Sequence, residues 1–427
     1  MIGGAVLLSF LVLLLLGIPL VFSLCLAALL GAELLGVPSL SVIALQMFEG
    51  LNSFPLVAIP LFLLMAQLMT VGGVTNALVR FATSLAGHIR GSLALGNVTA
   101  STLLAGVTGS CLADTTAIGS IMIPAMIEEG YPPAFAGAVT AAANIVGPII
   151  PPSTLIVIYG FASGASITQM FLAGIVPGML LSLSFGVLTW FKSSRNCYGT
   201  MSHGFNLRVT LLALVEALPA LVVPALIVAG VVGGVFTVSE SAAAAAAYAL
   251  LYTIGIGLVR GHVDWRGIAR ALGRTANDTG TVIIMVGASN LLSWVLARSQ
   301  LPQQVAASMI GFGRFETLAM INVVLLILGM FLEPAPALLL ACSILLPLVN
   351  SLGIDLIHFG IMMIVNLQIG VIMPPHGASA LICSRMAGIT FERQIQALVP
   401  FILLGLLTVV VVTYVPMLTL WLPGLLR

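Results

Sequence analysis

Apolar residues run along this chain in stretches of about 20, each bounded by glycine, proline or charge. Strands of a membrane barrel would instead show about ten residues of strict alternation. The pattern therefore predicts membrane-crossing helices at about 4–36, 53–72, 132–163, 168–191, 210–233, 236–259, 277–297, 356–389 and 392–421. Two further apolar stretches, 92–127 and 316–350, are interrupted midway by polar or proline-rich residues and read as hairpins. Shorter amphipathic segments near 74–90 and 302–313, with Arg80, His88, Arg90 and Arg314 in or beside them, fit interfacial connectors.

The same pattern occurs twice at a constant offset of 223 residues. Gly147 falls on Gly370, and Pro151-Pro152 falls on Pro374-Pro375. Pro124 falls on Pro347, Gly130 on Gly353 and Gln67 on Asn290, with no gap in the register. Residues 1–191 then form a first repeat with hairpin 92–127 and broken helix 132–163. Residues 236–427 form a second, with hairpin 316–350 and broken helix 356–389. Between them, 192–235 supplies a loop and one linking helix. Four crossings per repeat plus one linker is an odd number, so the second repeat starts on the opposite side and the two are inverted. The expected fold is all-α and integral to the membrane, with two inverted repeats, re-entrant hairpins and discontinuous helices.

Composition removes the soluble alternatives. Charged residues are 6% of the chain, against about 25% in soluble domains. Hydrophobic residues are 60%, and so apolar a surface suits only lipid. A net charge of +1 gives no electrostatic footprint for nucleic acid. Cys25, Cys111, Cys197, Cys342 and Cys383 have neither metal-site nor disulfide-framework spacing. The first apolar run is too long for a cleaved leader and reads as a retained span.

Charge also tests the topology. One face receives Arg80, Arg90, Lys192, Arg195, Arg208, Arg260, Arg266, Arg270, Arg274, Arg385 and Arg393, the other only Arg298, Arg314 and Arg427. That bias marks the first face as cytoplasmic. The N-terminus falls on the cytoplasmic side if 4–36 is one long tilted span. A double crossing at Gly17 and Pro19 would move it outside.

The candidate chemistry lies at the interruptions. Asn144-Ile145-Val146-Gly147-Pro148-Ile149-Ile150-Pro151-Pro152-Ser153 and Asn366-Leu367-Gln368-Ile369-Gly370-Val371-Ile372-Met373-Pro374-Pro375-His376 sit mid-span. A Pro-Pro pair removes two backbone donors and drives the preceding residues out of helical geometry. The freed carbonyls need water, another helix or a cation. Asn144, Gly147, Asn366, Gly370 and Pro374 are accordingly candidate Na⁺ contacts. The half-helices that restart at Ser153-Thr154 and His376-Gly377 aim positive dipole ends inward, which suits an anion. A plain kinked helix would explain one such break, but matched copies favour a site. At the hairpin tips, Gly109, Ser110, Glu333 and Pro334 offer small residues and hard oxygens for Na⁺. Asp114 and Glu333 are ionisable at membrane depth. Helix capping or packing fits Asp114 as well as cation contact does, and Pro336 fits a simple helix start beside Glu333. Gln67 and Asn290 fit interhelical packing, and Glu240 in Ser239-Glu240-Ser241 fits a helix cap. The run Ala242–Ala247 permits close helix packing, and His203 reads as a solvated loop residue. Arg385 fits either a substrate carboxylate or the interface.

Thr108-Gly109-Ser110-Cys111-Leu112-Ala113-Asp114 resembles the Ser-Gly-Ser-Ala-x-Ala-Asp tip of the large membrane subunit of tripartite ATP-independent periplasmic (TRAP) transporters, with Thr108 and Cys111 in place of Ser and Ala. Gly147-Pro148-Ile149-Ile150-Pro151-Pro152-Ser153 and Gly370-Val371-Ile372-Met373-Pro374-Pro375 are similar to that family's paired broken-helix motifs, and the resemblance covers essentially the whole chain. It implies an elevator-type importer of small organic anions, C4-dicarboxylates foremost and sugar acids next. It also implies Na⁺ as coupling ion with no other cofactor, a separate four-helix membrane subunit and a periplasmic substrate-binding protein. An ion-coupled carrier that needs no binding protein is the nearest alternative. An ion channel fits the inverted repeat less well, and the chain has no HExxH or other catalytic motif.

Overall fold

A computed structural model describes residues 2–37, 39–52, 54–87, 89–199, 206–301, 303–304 and 313–425. His88, His203, Arg427 and most of the expected connector 302–313 lie outside the described residues. Among the described residues there is no strand, and eight helices are long and apolar enough to cross a membrane.

The first helices are α1 (Ile2–Leu15), α2 (Leu20–Leu34) and α3 (Leu40–Glu49). The expected single span at 4–36 is instead a hairpin. Gly17 takes a φ of +78°, and Pro19 precedes the first residue of α2. The two arms then fold back on each other: a Cβ added at Gly31 would lie 2.6 Å from Val6 Cγ2. One added at Gly3 would lie 2.6 Å from Leu301 Cβ. Helix α3, in a stretch to which the hydropathy pattern assigned no element, takes Ser39 as N-cap.

Helix α4 (Ala58–Val71) ends beside Arg260 and Gly267, and α5 (Val74–Ala86) leaves it at 71° along that arginine-rich face. The connector expected near 74–90 is thus a helix set at a sharp bend to the span before it. The first hairpin is α6 (Ser92–Thr108) and α7 (Cys111–Glu128). The first broken helix is α8 (Pro133–Asn144) and α9 (Thr154–Ser163), followed by α10 (Ile167–Arg195). Helices α11 (Leu207–Val232) and α12 (Val238–Val259) then cross the membrane. Thr237 and Glu240 form a reciprocal capping box on α12, so Glu240 is the cap expected, with Thr237 as its partner. Helix α13 (Trp265–Arg298) is longer than the expected 277–297. Its arginine-bearing first turns leave the apolar region yet stay helical, capped by Asp264, which accepts from the Gly267 N–H at 2.8 Å.

The second hairpin is α14 (Arg314–Phe331) and α15 (Pro334–Ser351), and the second broken helix is α16 (Leu356–Gly370) and α17 (Ala378–Met386). Helices α18 (Phe391–Tyr414) and α19 (Met417–Gly424) complete the fold. The offset of 223 separates Cys111 from Pro334 and Pro133 from Leu356, the first residues of matching helices. Helices α12 and α13 both pack on α4, with the Thr253 hydroxyl of α12 donating to Leu68 O at 2.8 Å. The broken helices cross each other, and Tyr159 donates to Leu356 O at 2.7 Å. Asn290 packs between helices as expected, donating to Gln46 O at 2.8 Å.

Helix α1 starts beside Ser299 and Leu301, at the end of α13 opposite Arg266, Arg270 and Arg274, so the N-terminal residues face the periplasm if that arginine-rich end is cytoplasmic. A Gly4→Cys variant with Cys197→Ser should be labelled by a membrane-impermeant maleimide added to the periplasmic side. Labelling only after the cytoplasmic side is opened would restore the single-span topology.

Candidate functional site

Each hairpin tip docks on the break of one interrupted helix. Gly109 ends α6 with a φ of +60°, and a Cβ there would sit 2.6 Å from Pro152 O and 3.3 Å from Ser153 Cα. Only glycine allows both that backbone geometry and that approach. In the second repeat Gly329, three residues from the tip, lies backbone to backbone on Gly370: a Cβ on Gly329 would fall 2.9 Å from Leu367 O. Both Pro-Pro peptide bonds, Pro151-Pro152 and Pro374-Pro375, are cis.

The two tips meet in one cleft of about 140 Å³. Its walls are Gly109, Ser110, Cys111 and Leu112 from the first tip and Glu333, Pro334 and Ala335 from the second. Pro148, Thr154, Leu155, Gln368 and Val371 come from the broken helices. Cys111, Thr154 and Pro334 are the first residues of α7, α9 and α15. Three helix N-termini thus converge on one small space, each contributing the positive end of a helix dipole; α7 and α9 add free first-turn N–H groups, whereas Pro334 and Pro336 leave α15 only that of Ala335. Among the described residues no lysine or arginine lines the cleft, so these dipole ends are its positive charge.

Of the expected Na⁺ contacts, Gly109, Ser110, Glu333 and Pro334 line the cleft. Asn144 and Gly147 are buried one layer behind it, together with Asp114. Asp114 is fully buried, and its Oδ1 accepts a short hydrogen bond from the Thr108 hydroxyl. Its Oδ2 has no hydrogen-bond partner and points at Gly147, 2.7 Å from where a Cβ there would stand. Asn144 donates to Thr140 O at 2.8 Å and leaves its own Oδ1 unpartnered. Two unpartnered side-chain oxygens buried around one helix break are chemistry for a hard cation. Asp114 is as central to this layer as the two residues expected there.

The second break is built differently. Asn366 donates to Asn322 Oδ1 at 2.8 Å, and Asn322 donates to Thr413 Oγ1 at 2.9 Å, a chain tying α14, α16 and α18 together. Gly370 is buried against Gly329, and Pro374 is half-buried. Among the expected substrate contacts, Thr154 lines the cleft. Ser153 is buried as the N-cap of α9, accepting from the Ile156 N–H at 3.3 Å while its hydroxyl donates to Pro148 O. His376 is exposed and outside the cleft, as is Arg385. Gly377 caps α17 with a φ of +46°. Sequence reasoning left Gln368 unassigned, although a carboxamide inside an apolar run was the signal.

Comparison with known proteins places this architecture. A family model described as the tripartite ATP-independent periplasmic transporter DctM component matches residues 7–418. The chain is 37% identical over 411 residues to the sialic acid TRAP transporter large permease protein SiaM of Vibrio cholerae, covering 96% of this chain and 95% of that one. It is 35% identical over 390 residues to the C4-dicarboxylate TRAP transporter large permease protein DctM of Pseudomonas aeruginosa, covering 90% of each. In fold it is similar to the solved YdaH transporter of Alcanivorax borkumensis, with a TM-score of 0.60 at 15% identity over 90% of this chain and 89% of that one.

The tip geometry carries a test of its own. Gly109→Ala should still insert and purify but lose at least tenfold in transport, because its methyl would displace the Pro152 carbonyl. Wild-type transport in that variant would show that the tip does not need this approach.

Proposed function

The chain belongs to the DctM component family, the large permease subunits of TRAP transporters, and from that premise we propose that it imports a small dicarboxylate with Na⁺ by an elevator movement. The anion sits in the cleft between the hairpin tips. The observation that carries this is the convergence of three helix N-termini on a space with no basic side chain. A volume of about 140 Å³ lies well below the roughly 300–1,000 Å³ of pockets for drug-sized ligands. Relatives are named for both C4-dicarboxylates and sialic acid, and the cleft favours the four-carbon diacid over the larger sugar acid. The substrate arrives from a periplasmic binding protein, and a four-helix membrane subunit completes the complex.

Na⁺ answers two electrostatic problems at once. Glu333 borders a cleft meant for an anion, and a cation nearby removes that repulsion. Moving a dianion inward against the membrane potential costs about 4.6 kcal/mol per 100 mV, twice the single-charge figure, and two Na⁺ cancel it. The Asp114–Asn144–Gly147 layer supplies one cation site, and the surroundings of Asn366 and Gly370 a second. Asn144→Ala and Asn366→Ala should each raise the Na⁺ concentration for half-maximal uptake several-fold. Unchanged Na⁺ activation in both would remove the broken helices as cation sites.

Asymmetry between the repeats supports the moving domain. The hydroxyls of Ser293 on α13 and Ser343 on α15 hydrogen-bond to each other across helices. Their equivalents at the 223-residue offset, Thr70 on α4 and Ser120 on α7, are both exposed. Each bonds only within its own helix, Thr70 to Ala66 O at 2.8 Å and Ser120 to Ala117 O at 3.0 Å. In an inverted pair, exchanging the two arrangements gives the opposite-facing state. Ser293 and Ser343 therefore meet in one state, and Thr70 and Ser120 meet in the other. Cysteines at 293 and 343 should cross-link and arrest uptake until a reductant is added, and cysteines at 70 and 120 should cross-link only during turnover. Full uptake with the 293–343 disulfide formed would rule out a sliding hairpin.

A further inference from the structure

Gln368 stands out among the residues around the cleft. It lies in the last turn of α16, two residues before Gly370, and is fully buried. Neither its amide nitrogen nor its carbonyl oxygen has a hydrogen-bond partner. A buried carboxamide with no partner is an unfavourable choice, and native structures rarely keep one without a use. Its position at the cleft wall supplies the use. Gln394 on α18 is equally buried and unpartnered, but it packs on Gly137 of α8, away from the cleft. Asn366, on the same helix, has its amide nitrogen engaged by Asn322.

The repeat sharpens the assignment. The residue equivalent to Gln368 at the 223-residue offset is Ile145, buried and apolar. A group needed to satisfy the backbone of a broken helix would be needed in both copies, and Ile145 meets no such need. The polar difference belongs instead to something that is itself asymmetric in the cleft, and the transported anion is the asymmetric occupant.

We propose that Gln368 is a specificity-determining residue, whose carboxamide N–H donates to a carboxylate of the anion held between the hairpin tips. The assignment rests on the proposed dicarboxylate function. The three helix N-termini attract negative charge without regard to shape, whereas one fixed amide selects an anion with an acceptor at that distance. The free Oε1 accepts from a hydroxyl, which favours hydroxylated diacids over plain ones.

The test uses the purified complex with its membrane subunit, the wild type beside Gln368→Met and Gln368→Glu. Methionine conserves volume and removes an unpartnered polar group, so Gln368→Met should fold with an unchanged or raised melting temperature. Succinate added in Na⁺ should stabilise the wild type, and the succinate concentration giving half that shift should rise at least tenfold in Gln368→Met. The Na⁺ concentration giving half of the Na⁺-induced shift should stay the same. Gln368→Glu, isosteric but anionic, should lose the succinate shift completely. In proteoliposomes with saturating binding protein, succinate uptake by Gln368→Met should fall at least tenfold. Wild-type succinate response and uptake in Gln368→Met would overturn the assignment and leave the function standing, as would a change confined to Na⁺. A wild-type complex that neither responds to succinate or sialic acid nor takes them up would overturn the function, and the assignment with it.

Discussion

In lipid the backbone has no water to fall back on, and this fold turns on how it satisfies two helices broken at membrane depth. The solution is to bring a second backbone against each break. Gly109 lies on the Pro152 carbonyl and Gly329 on Gly370, so each hairpin covers a break. That demand fixes the hairpin lengths, the glycines near their tips and the meeting of both hairpins in the protein's middle. The cleft between the tips is a by-product of the same arrangement, since helices that stop and restart within the fold aim their ends at one another.

Electrostatic division of labour follows from it. The helix N-termini face the cleft, while the unpartnered oxygens of Asp114 and Asn144 lie behind it. The two layers are thus a few residues apart on the same elements. Asp114 is buried and held by one hydroxyl, with its second oxygen unpartnered. Under the proposed function, anion and cation would each offset the other's charge, which would disfavour moving one without the other.

Much of this was legible in the sequence, because lipid makes hydropathy a strong signal and Pro-Pro pairs are rare enough to set a register. The broken helices and hairpins fall where Pro151-Pro152, Pro374-Pro375 and the tip residues placed them. What escaped was whatever depended on neighbours far along the chain. The hairpin at α1 and α2 needed the α13 end as a packing partner, and hydropathy alone reads two short apolar arms as one long one. Ser153 looked like a substrate hydroxyl, but its position at a helix start made it a cap. Asp114 was a candidate from its membrane depth, but Gln368 was not, and only burial with both amide atoms unpartnered separates it from ordinary polar residues.

The short α1–α2 hairpin has a further consequence. Its arms of 14 and 15 residues are about 21–23 Å long at 1.5 Å per residue, short of a hydrocarbon core of about 30 Å. Arms this short are met by thinning of the lipid around them or by neighbouring helices that cover their ends. Wherever lipid thins to meet them, the low-dielectric barrier beside the protein narrows with it.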